Sequence, residues 1–235
     1  MPVSCVLLDI EGTILPITFV RDILFPYAKQ RLATFLRERR EDPLVRDYVS
    51  LCQDSIMREE GTRPSTEQLA PILERWIAED RKHPGLKAIQ GIIWEDGYRT
   101  GAFAPNLYED VAPALRRWHG NGLRLALYSS GSEQAQRLLV EHTNEGNLVQ
   151  LFSHFFDTRI GAKTETSSYQ RIAGQIGLPP QAILFLSDVE AELNAAAAAY
   201  LSTMQVIRPG TNPGASHPTC RTFANLIQSR EPHST

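Results

Sequence analysis

At 235 residues, with 42% hydrophobic and 22% charged side chains, the chain can build one large domain or a core domain carrying a smaller insertion, and it is too apolar for long disorder. Its net charge of -3, with Lys and Arg scattered rather than massed into a stripe, argues against a nucleic-acid partner. Cys5, Cys52 and Cys220 form no C-x-x-C pair or His cluster, so reduced thiols in a cytoplasmic protein are expected and a zinc site is not.

The first element is VSCVLLD, an aliphatic run that reads as a buried strand and stops at Asp9 in LLDIEGT. No basic residue precedes Arg21, so no signal peptide is expected. Residues 16–103 then read as helices: TFVRDILFPYAKQRLATFLRER, bent at Pro26, then PLVRDYVSLCQDSIMREE, STEQLAPILERWIAEDRK and GLKAIQGIIWEDGYRTG. In the last of these Leu86, Ile89, Ile92 and Ile93 share a face, which gives this interval a core of its own.

From residue 104 a different rhythm begins, with aliphatic runs alternating with amphipathic segments. A helix over Asn106–Trp118 ends at HGNG, and LRLALYSS from 123 is the second strand. Ser132 caps a helix to His142, SHFFDTRI is the third strand, and a helix over Glu165–Ile176 stops at Gly177 before two prolines. AILFLSD, an Ala-rich helix after Asp188, and STMQVI complete the pattern. The stretch from Leu193 to Ile207 is too short and too often interrupted by polar residues to span a bilayer, so no membrane association is expected. The fold class is α/β, a doubly wound parallel-sheet, Rossmann-like core over 1–15 and 104–235, with an inserted all-helical subdomain over 16–103.

Ligands of such sheets bind beyond the carboxyl ends of the strands. Asp9 and Glu11, Ser129, Ser130 and Gly131, Lys163 and Asp188 all follow strand-like runs. Each alone has an ordinary structural reading as a turn former, helix cap or solvated charge; Asp188, for example, could simply cap the Ala-rich helix. Together they gather acids, a cation and hydrogen-bond donors. Carboxylates side by side repel unless a cation lies among them, and oxygen ligands without His or Cys suit Mg²⁺, which completes its shell with water and phosphate. Ser129 and the amides of the Ser130-Gly131 turn can donate to phosphate oxygens, and Lys163 adds positive charge. If a helix starts at Asp188, Glu192 returns to its face and Glu190 points elsewhere, which marks Glu192 as a supporting acid for Lys163 or for a metal-bound water.

The order D-x-E-G-T, Ser, Lys, D-x3-E resembles the haloacid dehalogenase-like superfamily, with the inserted helices in the place of its cap domain. DIEGT, DILFPYA, LYSSGS with EQAQ, IGAKTETSSYQRIA, ILFLSDV and VIRPG further resemble the enolase-phosphatase family of methionine salvage. That resemblance implies one Mg²⁺ per subunit and a monomeric enzyme. It implies a substrate, 2,3-diketo-5-methylthiopentyl-1-phosphate, that is enolised and then dephosphorylated to an acireductone. It implies Asp9 as nucleophile and metal ligand, Glu11 at the metal through its backbone carbonyl, and Asp188 as the remaining ligand. It further implies Ser129 and Ser130 on the phosphate, and Lys163 on both phosphate and Asp9.

Glu11 and Ser187-Asp188 depart from the superfamily's commoner Asp and Gly-Asp, and both fit the enolase-phosphatase pattern. The base for enolisation stays open between Glu11 and a residue of the helical insertion. Trp94, His83 and Ile17–Val20 are candidates for a methylthio pocket, with packing between helices as the competing reading for Trp94. A phosphatase for another small metabolite and a non-catalytic Mg²⁺ or phosphate-binding regulator are the alternatives; a dehalogenase would leave Glu11 and Asp188 unexplained.

Overall fold

In the computed structural model residues 2–227 are described. They form two compact units, one made of the residues up to Ile17 with those from Ala104 on, the other of Thr18–Phe103.

The first unit holds six strands: β1 (Cys5–Leu8), β2 (Arg124–Tyr128), β3 (His154–Phe156), β4 (Ile183–Ser187), β5 (Ser202–Val206) and β6 (Thr219–Cys220). All pairings are parallel, and the order is β3-β2-β1-β4-β5-β6, with Cys5 aligned to Arg124 on one side and Ile183 on the other. The central strands are apolar along almost their whole length because helices cover both faces, so no polar alternation survives: Cys5–Leu8 and Leu125–Tyr128 are fully buried. On one face Tyr128, Phe156, Tyr169, Ile172, Phe185 and Leu193 belong to one apolar cluster.

The helices of this unit are α5 (Val111–Gly120), α6 (Glu133–Glu141), α7 (Thr166–Ile176) and α8 (Glu190–Ala198). Ser132 caps α6 through the Ala135 amide, and α7 stops at Gly177 in the left-handed conformation. Two sequence expectations are corrected and one competing reading is excluded. The helix expected from Asn106 starts only at Val111, because the Leu107 amide donates to the Asn144 side chain and the Tyr108 amide to the Ile14 carbonyl. The third strand ends at Phe156, since Asp157 accepts from the Arg159 amide and turns the chain. Asp188 does not cap α8; Val189 occupies that position and its amide donates to Ser187 Oγ.

The helical unit comprises a π-helical turn (Val20–Leu24), α1 (Phe25–Glu38), α2 (Pro43–Glu60), α3 (Thr66–Ala78) and α4 (Pro84–Arg99). The first helical run divides where Pro26 enters the opening turn of α1, a position that needs no amide donor. Ser65 and Gln68 form a reciprocal capping box on α3. Leu86, Ile89 and Ile93 are at most 1% exposed, whereas Ile92 is only half-buried. Phe103 packs edge-on against Tyr27 and Tyr98 at 4.9 and 4.6 Å. Trp94 stacks on Phe25 and donates to the Leu24 carbonyl at 2.8 Å, so it is a packing residue of this unit. His83 lies against Trp76 and Cys52. Among the described residues no helix is long and apolar enough to cross a membrane.

Candidate active site

The chain winds from β1 through β2 to β3 in one direction and from β4 through β5 to β6 in the other, so the switch point lies between β1 and β4. Asp9 and Asp188 follow those two strands, and Ser129 follows β2. The Asp9 amide donates to Leu186 of β4, and only 5% of Asp9 is exposed. Lys163, from the loop before α7, reaches Asp9 Oδ1 at 2.5 Å and Glu192 Oε2 at 2.7 Å, with 11% of its side chain exposed. Ser187 Oγ donates to the same Glu192 oxygen at 3.0 Å. Glu190 turns away and accepts from the Ala215 and Ser216 amides.

Burial works against the Lys163 charge, but the carboxylates of Asp9 and Glu192 outweigh it and hold the ammonium above its ordinary range. Glu192 is itself pushed up, first by burial and then by Asp9, because it shares one lysine with a second acid. For Asp188, burial and then the neighbouring Asp9 outweigh the opposing pull of Lys163 and raise it from 3.8 to about 7. Its Oδ1 is buried without a hydrogen-bond partner among the described residues. An unpartnered oxygen beside a second carboxylate is an arrangement that a hard cation would complete. Among the described residues no three His, Cys, Asp or Glu side chains form a metal cluster. With Asp188 Oδ1 unpartnered beside Asp9, the groups that could hold such an ion are the Asp9 and Asp188 carboxylates, a backbone carbonyl such as that of Glu11, and water. Glu11 is half-buried and its backbone bridges to Leu15.

Gly12 lets the Asp188 carboxyl lie against the loop that follows β1. Its φ is +73°, and a Cβ there would lie 2.6 Å from Asp188 Oδ2. On the β2 side, Ser129 Oγ accepts from the Gly131 amide at 3.1 Å, so the Gly131 donor expected to face phosphate is already engaged, while the Ser129 hydroxyl keeps its own proton to give. Ser130 is half-buried next to it.

Several supporting residues escaped the sequence reading. Gln136, 1% exposed on α6, donates to the carbonyls of Gly131 and Phe156 and fixes the turn after β2. Gln205, 1% exposed in β5, donates to the carbonyls of Asp188 and Asn212 and accepts from the Gly214 amide. Arg208 pairs in bidentate fashion with Asp110 at 2.8 and 3.0 Å and donates to the Thr13 carbonyl, bracing the loop that carries Asp9 and Glu11. A glutamine at a buried position of an apolar strand or helix face is the signal that could have found the first two.

A family profile described as haloacid dehalogenase-like hydrolase matches residues 3–199. A protein of Gluconacetobacter diazotrophicus named enolase-phosphatase E1 is 48% identical over 228 residues, covering 96% of this chain and 94% of that one. Its namesake in Aquifex aeolicus is 42% identical over 224 residues, with 95% and 99% covered. The chain belongs to the enolase-phosphatase family of haloacid dehalogenase-like hydrolases. Among solved structures, the UTR4 protein of Saccharomyces cerevisiae superposes on this enolase-phosphatase family member with a TM-score of 0.78 at 32% identity, covering 96% of this chain and 100% of that one. CbbY of Rhodobacter sphaeroides, solved with phosphate, shares the fold at a TM-score of 0.60 and 17% identity, with 95% and 96% covered.

Proposed function

We propose that the protein is a bifunctional enolase-phosphatase, an acireductone synthase of L-methionine salvage. It enolises 2,3-diketo-5-methylthiopentyl-1-phosphate and then removes the phosphate, giving 1,2-dihydroxy-3-keto-5-methylthiopentene. The observation that carries this reading is near-full-length similarity to proteins named enolase-phosphatase E1, on a chain that keeps Asp9, Lys163 and Asp188 together at the carboxyl end of the sheet.

Mg²⁺ would be held by the Asp9 and Asp188 carboxylates and the Glu11 carbonyl, and when bound it neutralises phosphate charge and polarises substrate oxygens. Asp9, fixed by Lys163, attacks phosphorus; the P–O bond to the substrate breaks, and an aspartyl-phosphate forms while the alcohol leaves with a proton. Water then attacks the same phosphorus, releasing phosphate and restoring the Asp9 carboxylate. Lys163 offsets negative charge through both steps, and the Ser129 hydroxyl with the Ser130 amide donates to the phosphoryl oxygens. Glu11 is the acid–base group of this loop, one methylene longer than aspartate, and serves as base for enolisation or as proton donor to the leaving oxygen. The enzyme works as a cytoplasmic monomer.

Incubation of purified protein with the diketo phosphate and Mg²⁺ yields both free phosphate and an enediol absorbance, and a chelator abolishes phosphate release. Absence of phosphate in the presence of Mg²⁺ sinks the reading, whereas turnover of a different phosphomonoester in a substrate panel moves it to another metabolite.

A carboxyl whose folded pKa exceeds its unfolded value carries extra proton in the native state. The metal-free fold therefore loses stability as pH rises from 3.8 through about 7 on account of Asp188. Mg²⁺ must displace that proton. Near pH 5.5, about 1.5 units below the Asp188 value, the competition weakens binding by about 2 kcal/mol. Saturating Mg²⁺ is expected to raise the melting temperature by several degrees near pH 8 and by little near pH 5.5. Equal shifts at both pH values in differential scanning fluorimetry would exclude Asp188 as a ligand.

A further inference from the structure

Lys163 is delivered to Asp9 by the segment Ile160–Lys163, whose four consecutive carbonyls each accept a side-chain hydrogen bond. Arg171 Nε donates to Ile160 at 2.7 Å and the Tyr128 hydroxyl to Gly161 at 3.0 Å. Ser168 Oγ donates to Ala162 at 2.8 Å and the Tyr169 hydroxyl to Lys163 at 2.7 Å. Loop carbonyls on a protein surface ordinarily turn to water, which leaves a loop free to rearrange. Here Tyr128, Ser168 and Tyr169 are all buried, and the two tyrosines are locked in the core, edge to face at 5.6 Å, with Tyr169 also 5.2 Å from Phe185. Gly161 completes the fit: its φ is +135°, and a Cβ would lie 2.2 Å from Ser168 Oγ and 2.4 Å from Arg171 Nη2. Only glycine lets both donors reach the carbonyls on either side of it.

The four donors come from two elements, Tyr128 from β2 and the rest from α7, so the segment is fastened to the sheet and to the helix at once. A lysine has four rotatable side-chain bonds, and its ammonium can be held at one point only if its backbone is held as well. We propose that Tyr169 and Tyr128 are positioning residues for Lys163, fixing the backbone from which its ammonium spans Asp9 and Glu192. The proposal rests on the reading of Lys163 as part of the phosphoryl-transfer site. A displacement of about 1 Å at a charged group in such a site lowers turnover by up to ~10²-fold, so the loss of one of four anchors is expected to cost roughly tenfold.

The test uses Tyr169→Phe and Tyr128→Phe, which remove a hydroxyl and keep the packed ring, each alone and combined with Lys163→Met. Phosphate release from the diketo phosphate is measured with Mg²⁺, and amide hydrogen exchange is followed over residues 158–168. The expected result is a kcat about tenfold lower for each tyrosine variant with KM within about twofold, faster exchange confined to that segment, and no further loss when either is added to Lys163→Met. Wild-type kcat in both tyrosine variants, or the same fold loss with and without Lys163, overturns the proposal. If the wild-type protein itself releases no phosphate, the functional reading fails. The exchange arm then decides separately: unchanged exchange in Tyr169→Phe overturns the anchoring, and locally faster exchange upholds it.

Discussion

Asp9→Asn is expected to lower phosphate release by about 10⁴-fold or more while the protein stays folded. An amide oxygen is a far weaker nucleophile toward phosphorus, and Glu192, the second carboxylate on Lys163, is already engaged by both Lys163 and the Ser187 hydroxyl. The fold survives for a reason visible in the ion pairs. Breaking a buried pair ordinarily destabilises by about 3–5 kcal/mol, because the remaining charge is stranded. Lys163 is not stranded, since Glu192 still holds it at 2.7 Å. Removing the Asp9 charge also relieves Asp188 and Glu192, both of which it pushes upward. The melting temperature is therefore expected within a few degrees of wild type. Asp188 should titrate lower, so metal-free Asp9→Asn should lose less stability between mildly acidic and neutral pH. Phosphate release near the wild-type rate would remove the covalent route.

Gly12→Ala separates backbone strain from damage to the site. A residue with a side chain at φ +73° is strained by about 1–2 kcal/mol, or roughly 2–8 °C in a protein of this size. The added methyl would also sit 2.6 Å from Oδ2 and 2.7 Å from Cγ of Asp188, so that carboxyl must move by the better part of an ångström. A misplacement of that order costs about 10²-fold in turnover. Gly177→Ala is the matched control, because Gly177 has the same φ of +73° and nothing within 4 Å of the added carbon. Both variants should melt lower, and only Gly12→Ala should lose activity and Mg²⁺-induced stabilisation. Equal kinetics in the two would mean that Asp188 can shift without consequence.

The parts of the fold that local pattern dictates were open to reading from the sequence. Near-continuous apolar runs before Asp9, Ser129 and Asp188 announce a sheet covered on both faces, and Ser132 and Gly177 announce helix ends through their own chemistry. What stayed hidden depends on distant partners. Residues 106–108 carry a helical pattern but are drawn out of the helix by Asn144 and Ile14, and nothing local marks that exchange. Strand β6 has two residues, neither of them buried, and is defined by its pairing with β5 rather than by any apolar run. The same division holds in the site. Asp9 and Asp188 stand out because charge at the end of an apolar run is unusual, whereas Lys163 lies in the loop beyond β3 and is legible only through the order of the motifs. Gln136, Gln205 and Arg208 do not stand out, since their role comes from carbonyls that only the folded chain brings within reach.

The most direct test of the account is an acid-quenched single turnover with the diketo phosphate and Mg²⁺, followed by peptide mapping for a phosphorylated carboxylate. Transient phosphorylation confined to Asp9, formed before free phosphate appears, is the predicted result. Free phosphate rising with no phosphorylated Asp9 at any quench time, or a phosphoryl group found on another residue, would contradict it.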